Sequence, residues 1–169
     1  MTAAQESSDH HASAARHHEQ AAHFHRAASR HYQIGKDYAH AARLALTARG
    51  HALRALEKGQ AASLHYAEHE SSPLPAYLTR SSDNPPSAAV AAAISLDGAA
   101  LHAVAAEHHD AAGRHHAQAE THRGADHYIR ACHETKKALD HGKHAIFHDD
   151  AAAMYHMEHC GSHPSAELA

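Results

Sequence analysis

His11, His18 and His25 stand seven residues apart, and His10 and His17 repeat the step beside them. Later in the chain His102, His109 and His116 do the same, with His108, His115 and His122 alongside. Seven residues are close to two turns of an α-helix, so each series draws an imidazole stripe down one side of a helix. In a strand, positions seven apart fall on opposite faces. The step therefore selects helix, and no strand pattern stands elsewhere in the sequence.

The stripes sit in a chain of 169 residues with 25 histidines, and alanine makes up about a quarter of it. Large aliphatic residues are scarce, yet the net charge is only −4, and Ala, Arg, Lys, Glu and Gln are strong helix formers. These features argue for closely packed helices around a small-residue core rather than for disorder. Such a core buries little apolar surface per residue, so bound metal or a second copy of the chain, as a homodimer, would add stability. A sequence pI near 6.7 provides no basic field for nucleic acid. The most apolar run, Ala88 to Leu96, is too short to span a membrane. Met1 to Asp9 lacks the apolar core of a signal peptide, which makes the cytoplasm the expected compartment. Cys132 and Cys160 have no CxxC spacing and indicate no disulfide framework.

The pattern His10-His11-x5-His17-His18 returns as His108-His109-x5-His115-His116, with Arg16 matched by Arg114 and Gln20 by Gln118. His31-Tyr32 matches His127-Tyr128, His51 aligns with His144, and residues 61–69 parallel 151–159. The chain thus reads as two copies of one unit, about 10–70 and 108–160. In the first, Gly35 ends one helix and Asp37 caps the next, which reaches about Glu70. In the second, the alignment puts the break near Ala131 to Glu134. The expected organisation is a first hairpin over 1–70, a Pro/Ser-rich linker over 71–87, and a second hairpin over 88–169. Pro85 or Pro86, capped by Asp83 or Asn84, would open the third helix, and Gly98 would weaken or break it. Two antiparallel helical hairpins make an all-α four-helix bundle.

Segments such as His17-His18-Glu19-Gln20-Ala21-Ala22 and Arg30-His31-Tyr32 resemble those of small Ala/His-rich helical-hairpin proteins of bacteria. That resemblance covers both repeats and implies hairpins without implying an activity. The expected architecture is also similar to that of the copper-storage four-helix bundles, which line their interior with cysteine. Histidine stands in its place here, which favours Zn(II), Cu(II) or Ni(II) over Cu(I).

Projection at ~100° per residue sorts the histidines into two sets. On helices 1 and 3, His10, His11, His17, His18, His25, His108, His109, His115, His116 and His122 share the side of Ala14, Ala21, Ala28, Ala105, Ala112 and Ala119, the side expected to face the bundle. On helices 2 and 4 the leucines and methionines are expected inward. His65, His69, His141, His144, His148, His156, His159 and His163 then face solvent or a second subunit. The outer set has the i,i+3 and i,i+4 pairs that chelation by one helix needs. Inner residues seven apart lie about 10 Å apart along the axis, so inner sites must form between helices.

These eighteen histidines are the candidate ligands of a non-catalytic protein that stores, buffers or sequesters a divalent transition metal. A di-iron carboxylate enzyme would need Glu-x-x-His on two helices, and the chain has none. Bis-His haem is conceivable, but covalent attachment lacks a CxxCH. The alternative is a structural or interaction bundle without tight metal binding, responsive to pH through its histidines.

Overall fold

The computed structural model describes residues 3–35, 37–69, 96–125 and 127–160, with backbone alone for 3, 4, 65–69 and 160. Among the described residues there are four helices and no strand: α1 (Ala3–Ile34), α2 (Tyr38–His69), α3 (Gly98–Gly124) and α4 (Tyr128–Cys160). They form two hairpins, α1–α2 and α3–α4, which meet chiefly through α1 and α3, while α2 and α4 touch less extensively. The result is a four-helix bundle with the two histidine-striped helices at its centre.

Local chemistry sets the helix ends. Gly35 adopts a left-handed φ of +69°, a conformation open to glycine at little steric cost. Its N–H donates to the carbonyls of His31 and Tyr32 at 3.2 and 3.1 Å, closing α1. Asp37 caps α2, its Oδ1 accepting from the His40 N–H at 2.8 Å. Asp97 caps α3 in the same way, accepting from the Ala100 N–H at 2.7 Å. Gly98 therefore opens α3, and the expected earlier start at Pro85 or Pro86, its caps Asp83 and Asn84 and the 71–87 linker lie outside the described residues. In the second hairpin one helix ends at Gly124 and the next starts at Tyr128, so the break is not at Ala131 to Glu134, where α4 runs without interruption.

The core is built of alanine and histidine. Ala14, Ala21 and Ala28 of α1 are fully buried, as are Ala105 and their further counterparts Ala112 and Ala119 in α3, each 91 residues on. Ala41, Ala48, Ala55 and Ala62 of α2 have buried counterparts 90 residues on in α4, at Ala131, Ala138, Ala145 and Ala152. This spacing lies one heptad from the alignment of His10-His11 with His108-His109. A seven-residue period allows either register, and the difference explains the misplaced turn. Among the described residues Leu101 is the largest apolar side chain that is fully buried; next to it in size come His11, His18, His25, His102, His109 and His116. Imidazoles fill the volume that leucines fill in an ordinary bundle.

Alanine stripes on α2 and α4 turn those helices the other way from the expected orientation. Leu46, Leu53, Leu64, Met154 and Met157 are exposed, at 51 to 68%. Methyl-sized side chains let helix backbones approach closely, whereas a leucine face would hold α2 away from the bulky histidine column. Two glycines show how tight this packing is. A Cβ at Gly142 would stand 2.7 Å from the Leu56 side chain and 3.1 Å from His18, and one at Gly59 would stand 2.9 Å from His116. Finally, no described helix is long and apolar enough to cross a membrane.

Candidate metal centre

The two stripes run antiparallel and meet in pairs. Nδ1 of His11 lies 3.1 Å from Nδ1 of His116. The same atoms of His18 and His109 are 3.0 Å apart, and those of His25 and His102 are 3.2 Å apart. Between pairs the rings stack: His18 on His116 with centroids 5.5 Å apart, and His25 on His109 at 5.4 Å. Tyr32 stacks on His102 at 5.3 Å and closes one end. Six imidazoles thus form a continuous column through the middle of the bundle.

Burial keeps the column neutral, because a charged imidazole loses its hydration there. Burial first, and then a neighbouring imidazole, lower the pKa of His11, His18, His25 and His116 to about 3. His102 is lowered to about 4, again by burial and then by His156, and His109 falls well below its ordinary value. In each neutral pair one Nδ1–H donates to the lone pair of the other Nδ1. The far nitrogens fare worse: Nε2 of His18, His25, His109 and His116 is buried with no hydrogen-bond partner. An unsatisfied buried polar atom costs about 1–3 kcal/mol.

A third ligand, a carboxylate, joins the column at one pair. Oδ1 of Asp149, on α4, lies 3.8 Å from Nδ1 of both His25 and His102. Its other oxygen, Oδ2, accepts from Nη1 of Arg49 on α2 at 3.3 Å, and Arg49 also pairs with Asp150. Two nitrogens bound to tetrahedral zinc at ~2.0–2.1 Å stand about 3.3 Å apart, close to the 3.2 Å between His25 and His102. Asp149 would have to approach by about half an ångström. Among the described residues, only His25, His102 and Asp149 bring three ligand atoms within 4.8 Å of one another. All three are buried. Burial also raises the Asp149 carboxyl to about 6, against the pull of Arg49. Below about pH 6 metal binding would therefore expel a proton from Asp149, and at any pH it would displace the Nδ1–H of the pair.

Counterpart positions make the other end different. Ninety residues before Asp149 stands Gly59, against His116, so the His11–His116 pair has no carboxylate in the equivalent place. The central pair faces Gly142 from α4.

Outside the column, His108 gathers three imidazoles from α4. Its Nδ1 is 3.0 Å from Nδ1 of His141, and its ring centroid lies 5.3 Å from His144 and 5.5 Å from His148. His148 is buried, and His141 and His144 are half-buried, so these three do not face solvent as expected. Burial and these neighbours lower His108 to about 4. The counterpart on the first hairpin is His17, whose Nδ1 is 3.1 Å from that of His51. Burial, then His51 and the nearby cations Arg54, Arg16 and Lys58, lower its pKa, which makes it a poor place for another cation.

Of the remaining candidates, His115 extends the His108 group by stacking on His141 with centroids 5.4 Å apart, and the others are dispersed. His115 pairs with Glu134 at 2.6 Å. His10 and His122 are half-buried, the latter with its ring 6.2 Å from His127. His156 packs edge-on against Tyr32, and His159 is exposed on Tyr155. The side chains of His65 and His69, and all of His163, lie outside the described residues. The sequence singled out His102 as part of a stripe but not as a ligand, and missed Asp149 altogether. The available signal was position: Asp149 lies four residues after Ala145 and three before Ala152, on the small-residue face of α4. Comparison with protein-family models, curated proteins and solved structures finds no match to this chain.

Proposed function

We propose that this protein binds a late first-row divalent metal, Zn(II), Cu(II) or Ni(II), to store or buffer it without turnover. The observation that carries the reading is the buried His25–His102–Asp149 group, whose ligand atoms already lie within 4.8 Å. Imidazole and carboxylate donors suit these ions. A carboxylate oriented by a second hydrogen bond, as Asp149 is by Arg49, is a familiar support for a metal ligand. The same two-histidine, one-carboxylate set also suits Fe(II), so the ion is identified by competition among metals. The unsatisfied Nε2 atoms of the column supply weaker donors for further ions once rings rotate.

The test is titration of the untagged, chelator-treated protein with Zn(II), Cu(II), Ni(II) and Fe(II), followed by calorimetry. One site clearly tighter than the rest is expected, and it should disappear in His102→Gln and Asp149→Asn while helicity is retained. A second reading, a pH-responsive bundle without tight metal binding, draws on the three Nδ1 pairs, which satisfy one another with no ion. Binding no tighter than millimolar for every ion would decide for that reading.

A further inference from the structure

A cavity of about 470 Å³ lies against the candidate centre, lined from all four helices. His102 and Asp149 form part of its wall, while His25, fully buried, lies behind them. Three protein ligands leave a tetrahedral ion one open position, and the cavity is the side with room for another group. Its remaining lining is mostly apolar and includes Leu46 and Met157, with Arg49 hydrogen-bonded to Asp149. The volume falls within the ~300–1,000 Å³ typical of small-molecule pockets.

Charge decides what should enter. A divalent ion with one ionised Asp149 leaves a net positive charge, and Arg49 with Asp150 cancel each other. A buried uncompensated charge is costly, so the open position favours an anion, and the apolar wall favours a tail on it. Arg49 still has N–H groups beyond the one shared with the two aspartates, and its planar fork suits a carboxylate. We propose that the metal-loaded centre is a receptor for small monocarboxylates with a short apolar tail. The carboxylate takes the open position within reach of Arg49, and the tail lies against Leu46 and Met157. This rests on the metal-binding reading above.

The experiment uses the full chain loaded with Co(II), whose visible spectrum reports its ligands, titrated with acetate, butyrate and hexanoate. Co(II) should bind, and its spectrum should shift with each acid. Affinity should rise by up to about fourfold per methylene buried. Ala153→Phe, which narrows the cavity from an exposed position on α4, should leave Co(II) affinity unchanged and weaken hexanoate at least tenfold. A Co(II) spectrum indifferent to every acid would overturn the receptor and leave the metal site standing. So would equal affinities for acetate and hexanoate, untouched by Ala153→Phe. Failure to bind Co(II) or Zn(II) at all would remove the metal reading and the receptor with it.

Discussion

Acid should unfold the metal-free protein, and the size of the effect follows from the histidine column. In the unfolded chain each histidine titrates near 6.5. In the folded protein five of the six stay neutral down to about pH 3 or 4, and His109 is lowered in the same direction. Between those values the unfolded state binds protons that the folded state does not, so stability falls as pH falls. At pH 5 each such histidine stabilises the unfolded chain by about 2 kcal/mol relative to neutral conditions. The five with folded values near 3 or 4 amount to something on the order of 10 kcal/mol, and His109 acts in the same direction. Asp149 runs the other way, its folded pKa being raised to about 6, and returns roughly 1–2 kcal/mol. The remainder rivals the ~5–15 kcal/mol of a typical domain. Chemical denaturation followed by circular dichroism at pH 8, 6.5 and 5, with chelator present, should show the midpoint dropping steeply and little helix left at pH 5. Equal stability at pH 8 and pH 5 would refute a buried, neutral column.

Arg49→Met should weaken the tight metal site roughly 10- to 100-fold by releasing Asp149 from its second partner, read by metal titration with the helix signal unchanged. Gly142→Ala should destabilise by about 1–3 kcal/mol, because the close contacts with Leu56 and His18 outweigh the gain in helix propensity. Gly50→Ala, with no atom within 4 Å of the new methyl, should instead stabilise by about 0.5–1 kcal/mol; denaturant midpoints of the two variants should move in opposite directions. Leu53→Lys, at a position 51% exposed, should change stability by less than about 0.5 kcal/mol. A loss above about 2 kcal/mol in denaturation would mean that α2 turns its leucines inward.

The period of seven and the internal repeat were enough to read the helices, the two hairpins and the inward side of His11, His18 and His25, with inner sites formed between helices. Capping at Asp37 and the Gly35 terminus were legible because both depend on adjacent residues. The orientation of α2 and α4 was not, since leucine outranks alanine on any transfer scale. What decides the orientation is the closeness of approach that Ala48, Ala55, Ala138 and Ala145 permit against a histidine-filled centre. The register between the hairpins was hidden by the periodicity itself, which makes a shift of one heptad look equally good. Asp149 escaped because its role comes from Arg49, 100 residues away in sequence, and no local pattern encodes that meeting.

Gly59 and Asp149 occupy counterpart places beside opposite ends of the column, and the difference gives it a direction. A bundle with matching ends would offer two equivalent berths and fill them together, with a single half-saturation point. Here one end has a carboxylate and an arginine behind it, and the other has a bare backbone pressed against His116. On the metal-binding reading proposed above, ions entering such a ladder would settle in rank order, so that occupancy would grade with the surrounding concentration instead of switching at one value. On that reading the last ions taken up would be the first released, and an ion beside Asp149 would be held longest.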